Sequence, residues 1–560
     1  MKRSDNYKSI LYKLIITSIV IGAILLRLFH SSLISNDEAL LFTEAVKISK
    51  GIKPYAFTAN WAPFFVSTRH GYFITLIRAL LYKLTNSVEA QRWLTMIFGV
   101  LSVIITYFLA KDLYREKVGI LSSFFVSIFP LHVSLSRGLY LEVPVTCLFL
   151  ISMFFLIKGL KERKTNSLII SSIFLSLAAL TKILALLPVF SILLWLFFER
   201  RRFGKDWLKI MFLFSIPLMV WLTWAIPNKD RIISISDRES FFNFVVKKSV
   251  DSMKLNFFYE YFWVFSYSIP LIIGGILFAA LRKNRWDTLL LFVILTYVIF
   301  FFFISQTNIV RFHLLIVPLY FILASRFIVH SMKSKLVFFT LPLTFLFIIL
   351  SLRTNYLAIK FHGENSNYFF PSTPILLPET NRWIISEFML STDLSGAGTM
   401  DVIEELKRLG KTGDVLYVEG EFSPYEGFLI DKGIEVKILP PYKYHCALYT
   451  TKMCFSEDWE ERVKEIVERE SNRTNVWIIT RDYRMWKLGF GNVRFFDEVN
   501  QSKILSKYFK KVYGICYPDR ELLRDYCISY KRTLNPNCWS LFNCVYLFNA
   551  SESMDNLEEN

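Results

Sequence analysis

Runs of apolar residues as long as a bilayer core is thick constrain this chain more than any other feature. A helix of roughly 20 apolar residues crosses the hydrocarbon, and the stretches 210–226, 288–305 and 336–352 approach that length with no charge inside. Scanning the whole chain gives about eleven spans, near 12–29, 93–110, 118–133, 140–157, 167–181, 183–198, 208–226, 261–281, 288–305, 312–330 and 336–352. With 53% hydrophobic residues arranged in this way, a soluble globule is excluded. The expected fold is a multi-pass α-helical membrane protein followed by a different kind of domain.

The formal net charge of +18 would suit a nucleic-acid partner, so the placement of the basic residues matters more than their number. They cluster in alternate loops: Lys2, Arg3, Lys8 and Lys13; Lys111, Arg115 and Lys117; Lys158, Lys161, Arg163 and Lys164. Arg200, Arg201, Arg202 and Lys205 follow, then Arg282, Lys283 and Arg285, then Lys333 and Lys335. On the span assignment above, all of these fall on one side, as the positive-inside bias demands. The amino terminus is therefore expected in the cytoplasm, and an odd number of spans puts everything after about Leu352 outside. The partners this implies are membrane lipids and no nucleic acid. The first span reads as an anchor and not as a signal peptide, because no small-residue cleavage site follows it.

Cysteine usage agrees with that topology, because disulfides persist in oxidising compartments. Cys147 lies in a span, whereas Cys446, Cys454, Cys516, Cys527, Cys538 and Cys544 all lie in the tail. Short spacings favour bridges 446–454, 516–527 and 538–544, among fifteen formal connectivities. Six free thiols remain the alternative, and a zinc site using His445 lacks the paired spacings of zinc ribbons. Three glycosylation sequons, at Asn472, Asn500 and Asn549, fall in the same tail.

Two domains follow: a membrane module over 1–354 with a large first external loop at about 31–92, and an extracytoplasmic domain over 355–560. In the tail, helix-period segments such as 400–409 and 459–470 alternate with short apolar runs such as 415–418 and 476–479, the pattern of an α/β domain. It holds no glycine-rich phosphate loop and no nucleophile elbow. The membrane half shows no internal repeat, which weighs against a secondary transporter.

The candidate chemistry begins in the first external loop at Ser35-Asn36-Asp37-Glu38. A carboxylate held just outside the membrane can take the proton of an acceptor hydroxyl. The same residues also read as a capping box, Ser35 with Glu38, and as an acidic first turn complementing the dipole of a helix over 39–48. Cations stand on the outer side as well: Arg69 and His70 in the loop, then Arg137, Lys182, and Arg311 with His313 near span ends. Each alone could be a side chain snorkelling to the interface. Together they could ring an anion, and a lipid phosphate at the outer leaflet has the chemistry to be held by them as it leaves a sugar. The basic loop at 227–260, with Lys229, Arg231, Lys247 and Lys248, reads as a solvated or headgroup-facing surface. Glu142, costly in lipid, is expected to face the same cavity as Arg137.

At these residues the sequence resembles the C-type (GT-C) glycosyltransferases that use polyprenyl-phosphate sugars, a group that includes protein O-mannosyltransferases and the bacterial aminoarabinose transferase. The resemblance runs over about 10–200. It is carried by Asp37-Glu38 opening the loop, His70 later in it, the segment from Pro130 to Glu142, the Leu177–Lys182 stretch ending in Thr-Lys, and Arg311-Phe312-His313 with Pro318. It implies that Asp37 is the catalytic base or an acceptor-positioning carboxylate, supported by Glu38, and that Arg137, Lys182 and Arg311 bind the donor phosphate; from their place among the outer cations Arg69 and His313 are expected at the same phosphate, with His70 and Glu142 lining the substrate cavity. Two positions depart from the family pattern: Gly71 follows His70 where proline is usual, and Glu142 stands where aspartate is common. The Trp-Trp-Asp-Tyr-Gly motif of oligosaccharyltransferases is absent.

The implied reaction moves a monosaccharide, mannose or another, from a polyprenyl or dolichyl phosphate to a hydroxyl of a protein, glycan or lipid. No cofactor and no metal site is expected, although a carboxylate pair beside a phosphate is chemistry able to hold a divalent cation. Two other classes stay open at this point: a flippase for lipid-linked sugars, and a non-catalytic receptor acting through its C-terminal domain.

Overall fold

The computed structural model describes residues 2–28, 36–52, 72–225 except 205, most of 265–303, 310–363, 399–419, 425–439, 475–486, 496–499, 509–517 and 543–553, with a few positions between 463 and 506. The chain divides into two compact units. One comprises 1–30, 68–360 and 370–389; the other comprises 31–67, 361–369 and 390–560. The segment 31–67, read from the sequence as part of the membrane module, is grouped with the C-terminal residues.

The first unit is helical. Its elements are α1 (Lys2–Leu25), then, after α2 (Asn36–Ser49) of the other unit, α3 (Tyr72–Thr85), α4 (Val88–Tyr114), α5 (Glu116–Ile128) and α6 (Pro130–Leu135). They continue with α7 (Glu142–Glu162), α8 (Thr165–Ala179), α9 (Leu186–Phe198), α10 (Asp206–Ala225), α11 (Ile269–Arg282), α12 (Arg285–Phe303), α13 (Val317–Ser331) and α14 (Val337–Gly363). Among the described residues four helices are long and apolar enough to cross a membrane: Val88–Tyr114, Glu142–Glu162, Arg311–Ser331 and Val337–Tyr356. Several of the other expected spans coincide with shorter apolar helices, among them Ile10–Leu25, Thr165–Ala179, Ile183–Phe198 and Ile269–Arg282.

Local chemistry explains the boundaries. Ser87 caps α4 by accepting from the backbone N–H groups of Glu89 and Ala90. The expected span 118–133 is broken because Phe129 precedes a proline and turns extended, ending α5 at Ile128 and letting Pro130 open α6. The expected span 183–198 likewise opens with a tight 3₁₀ turn, Ile183–Ala185, before α9. Helices α11 and α13 touch backbone to backbone: a Cβ on Gly275 would lie 2.6 Å from the Ala324 nitrogen. Small residues allow such approaches where lipid offers no hydrophobic drive for association. Large apolar side chains, including Phe212, Ile273, Leu277, Phe338 and Phe345, remain exposed, as on a lipid-facing surface.

Among the described residues the second unit holds α2, α15 (Thr399–Leu409), α16 (Glu426–Leu429) and six strands: β1 (Val415–Glu419), β2 (Glu435–Leu439), β3 (Val476–Trp486), β4 (Phe496–Val499), β5 (Phe509–Tyr517) and β6 (Asn543–Ser553). The sheet runs β2-β1-β3-β6-β5, with β4 beside β3. β1 is parallel to β2 and β3, whereas β6 is antiparallel to β3 and β5. Val415, Tyr417, Val476, Ile478, Phe509 and Phe548 form its core.

Cys147 is a buried free thiol. The strand register sets Cys516 opposite Cys544, a pairing that none of the bridges expected from spacing uses. Cys446, Cys454, Cys527, Cys538 and His445 lie outside the described residues, as does the basic loop 227–260. Asn549 is 5% exposed within β6, so its sequon is not presented at the surface; Asn472 and Asn500 lie outside the described residues.

Candidate functional site

Three helix ends of the first unit bring their charges onto one oxygen. Glu142 is the first residue of α7, Lys182 follows the end of α8 in an extended conformation, and Arg311 is the second residue of the 3₁₀ segment Val310–Ile316 that leads into α13. Lys182 Nζ donates to Glu142 Oε1 at 2.7 Å, and Arg311 Nε lies 3.2 Å from the same atom. The side chains of Lys182, Glu142 and Arg311 are 6%, 5% and 13% exposed. Aromatic faces line the group: Phe312 meets the Lys182 ammonium at 4.5 Å, and Tyr140 meets the Arg311 guanidinium at 5.5 Å. The turn that carries Lys182 is tied to the start of α3, because Phe73 N–H donates to the Leu180 carbonyl at 3.3 Å. Two cations thus share one carboxylate oxygen in a desolvated place, and ammonium and guanidinium groups are the donors that bind phosphate oxygens.

A second group stands on α1, α5 and α6. Arg27 Nη1 donates to the carbonyls of Ala23 at 2.8 Å and Ser127 at 3.2 Å, while Nη2 lies 2.6 Å from His132 Nδ1. Guanidinium nitrogens only donate, so Nδ1 is the acceptor and the ring proton of a neutral His132 sits on Nε2. Arg137 Nε and Nη2 both reach the Leu26 carbonyl, at 3.0 and 2.6 Å. Burial holds the Arg137 guanidinium down at about 10, still charged at neutral pH.

Residues 69–224 match the family described as dolichyl-phosphate-mannose-protein mannosyltransferase. No curated protein matches the sequence. Among solved structures the chain is similar to ArnT from Cupriavidus metallidurans bound to undecaprenyl phosphate, at 12% identity and a TM-score of 0.52 over 83% of this chain and 92% of that one. It is similar to the apo oligosaccharyltransferase of Archaeoglobus fulgidus, at 11% identity and a TM-score of 0.52 over 94% of this chain and 82% of that one. The archaeal oligosaccharyltransferase AglB of the same organism, in complex with an inhibitory peptide and a dolichol-phosphate, matches at 12% identity and a TM-score of 0.52, over 94% and 81%. The fold is that of a C-type glycosyltransferase.

Within this C-type fold the residues expected from the sequence are distributed unevenly. Glu142, Lys182 and Arg311 come together as described, with Glu142 serving as their shared acceptor. Arg137 belongs to the Arg27 group through its bonds to Leu26. His313, 1% exposed, packs its ring against Phe301 at 4.9 Å and Tyr297 at 5.8 Å. Asp37 and Glu38 lie in the first turn of α2, in the second unit, where Glu38 is 5% exposed; the Asp37 side chain lies outside the described residues. Arg69 and His70 also lie outside them.

Arg27 was not singled out from the sequence, and His132, Tyr140 and Phe312 were read only as parts of motifs. A lone arginine at the end of a first span reads as snorkelling, so its burial at 0% exposure has no sequence signal. Among the described residues, no cluster of three or more His, Cys, Asp or Glu side chains could hold a metal ion.

Proposed function

We propose that this chain is a membrane glycosyltransferase that moves a monosaccharide from a polyprenyl-phosphate donor to an acceptor hydroxyl on the outer side of the membrane, with inversion. The observation that carries the reading is the buried meeting of Lys182 and Arg311 on Glu142, in a fold whose solved relatives were captured with undecaprenyl phosphate and dolichol-phosphate. Lys182, Arg311 and Arg137 hold the donor phosphate, with Arg69 and His313 assisting, and they neutralise the charge that grows on the bridging oxygen as it departs. Asp37 takes the acceptor proton, Glu38 supports its turn, and His70 lines the cavity. The acceptor oxygen bonds to the anomeric carbon while the bond from that carbon to the phosphate oxygen breaks. The products are the glycoside and free polyprenyl phosphate, and the proton rests on Asp37.

Mannose is the first sugar to test, given the description of the matching family. No metal is required in this mechanism. Mass measurement of surface glycans in cells with and without the gene tests the reading. The gene should add a single sugar residue to some product, and Asp37→Asn should remove it at equal protein level. A labelled polyprenyl-phosphate mannose that crosses the membrane without being consumed would overturn the proposal in favour of a flippase. Binding activity retained by residues 390–560 alone, with no glycan change, would favour a receptor.

A further inference from the structure

The acidic helix α2 is built into the same compact unit as the C-terminal sheet. Every residue from Leu41 to Lys47 is buried, nearly two turns with no solvated face, so this helix is enclosed and not a loose segment of loop. Its seat includes the short stretch just before β2. Phe42 stacks on Phe428 with ring centroids 4.3 Å apart. Gly427 N–H donates to Thr43 Oγ1 at 3.2 Å. A Cβ at Gly427 would stand 2.6 Å from that oxygen and 2.8 Å from the Thr43 Cα, so only glycine permits the approach. Lys50 and Asp431 add a half-exposed ion pair at the far end of α2.

The seat is itself braced by the sheet. Gly413 N–H donates to the Gly433 carbonyl and Glu435 N–H to the Asp414 carbonyl, which locks the exit of the stretch to β1. Asp414, 0% exposed, accepts from Lys411 N–H at 2.8 Å and from Trp477 Nε1 at 2.8 Å. A continuous line of packed and hydrogen-bonded groups thus runs from β3 and β1 through residues 426–433 into α2.

We propose that the 426–433 stretch is the seat of the acidic helix and that Gly427 and Phe428 are positioning residues for sugar transfer, acting through the Asp37-Glu38 turn. This gives the C-terminal unit a role in the reaction and rests on the reading of Asp37 as the base. Phe42 and Thr43 stand five and six residues after Asp37, about 7.5 and about 9 Å along the helix axis. A tilt of about 10° at the seat moves the acidic turn by about 1.5 Å, and a misplacement of about 1 Å can cost on the order of 100-fold in rate.

The test uses the full chain with Gly427→Val, Phe428→Ala and Phe428→Tyr, and with Asp37→Asn as reference. Hydrogen exchange is read separately on α2 and on β1 and β3. Affinity is read with undecaprenyl phosphate as probe, and transfer by the mass of surface glycans in cells lacking the native gene. Gly427→Val and Phe428→Ala should lose protection in α2 alone, keep undecaprenyl phosphate affinity, and lose product by on the order of 100-fold. Phe428→Tyr, which keeps the stacked ring, should restore product. Unchanged protection in α2, normal product from a loosened α2, failure of Phe428→Tyr to rescue, or equal loss of protection in β1 and β3 would each overturn the proposal. If Asp37→Asn makes normal product, the reading of the base has failed; if it makes none while the seat variants are normal, only the seat has failed.

Discussion

The helical unit buries charge at both ends of its bundle, and the two ends solve the problem differently. Arg311 and Arg326 stand at opposite ends of one helical segment, Arg311–Ser331, roughly 22–26 Å apart by helix rise. At the Arg326 end, Asp287 is 0% exposed and pairs with Arg326 while accepting from the Tyr114 hydroxyl, and Arg326 lies over the Tyr114 ring at 4.4 Å. One carboxylate and one guanidinium close the charge, and three helices, α4, α12 and α13, are pinned by it. Glu199 at this end takes both Arg202 and Arg285, but Arg202 is 63% exposed and solvent carries the surplus. At the Arg311 end, one carboxylate faces two cations, all nearly dry. The first arrangement is a one-to-one pair, whereas in the second a single carboxylate oxygen is shared by two cations.

The largest expected effect tests the one-to-one pair. Asp287→Ala takes the buried carboxylate away from Arg326, itself only 16% exposed, and should destabilise the helical unit by about 3 kcal/mol, read as a lowered melting temperature and poor yield. Wild-type stability in that variant would break the comparison. Next comes Lys182→Gln, which removes one of the two cations on Glu142 and leaves Arg311 beside it. Folding should tolerate it, while transfer falls by about 10²–10³-fold and undecaprenyl phosphate binds more weakly. A Lys182→Gln protein that melts as early as Asp287→Ala would give both ends the same structural role.

A smaller effect concerns the neighbouring Arg27 group. A Cβ on Gly99 would lie 2.8 Å from Ser136 Cβ and 3.3 Å from Arg27 Nε, so Gly99→Ala should cost about 1–3 kcal/mol by overpacking, measurable by thermal denaturation without lipid. The mildest contrast lies outside the helices. The Tyr417 hydroxyl donates to Glu470 Oε1 at 2.9 Å, and burial together with that carboxylate pushes Tyr417 up to about 12 from its ordinary value near 10. The unfolded chain loses this proton first, so the sheet unit should keep full stability below about pH 10 and lose part of it between about 10 and 12. Tyr417→Phe should remove that alkaline limb in a pH series of melting curves.

Much of the helical architecture was legible in the sequence. The expected spans at 140–157 and 336–352 fall almost wholly within α7 and α14. The strand cores expected at 415–418 and 476–479 lie inside β1 and β3. Where the reading slipped, backbone chemistry intervened: Pro130 divided one expected span, and the 3₁₀ turn at Ile183 shortened another. The candidate site was legible only as a set of cations in suspicious places. That Lys182 and Arg311 share a single oxygen of Glu142, and that Arg27 is sunk against His132, depends on which helix ends converge, and hydrophobic periodicity carries no information about that.

What the sequence by itself determined is the presence of long apolar helices and a separate α/β region, because a backbone in lipid must satisfy its hydrogen bonds within each segment and so announces itself locally. What only the tertiary structure decided is which charges meet and where the acidic helix is held. Glu142 and Lys182 are 40 residues apart, and Thr43 meets Gly427 across 384 residues. Pairing over such separations is settled by packing of whole elements, since no local propensity distinguishes a snorkelling lysine from one clamped on a buried carboxylate.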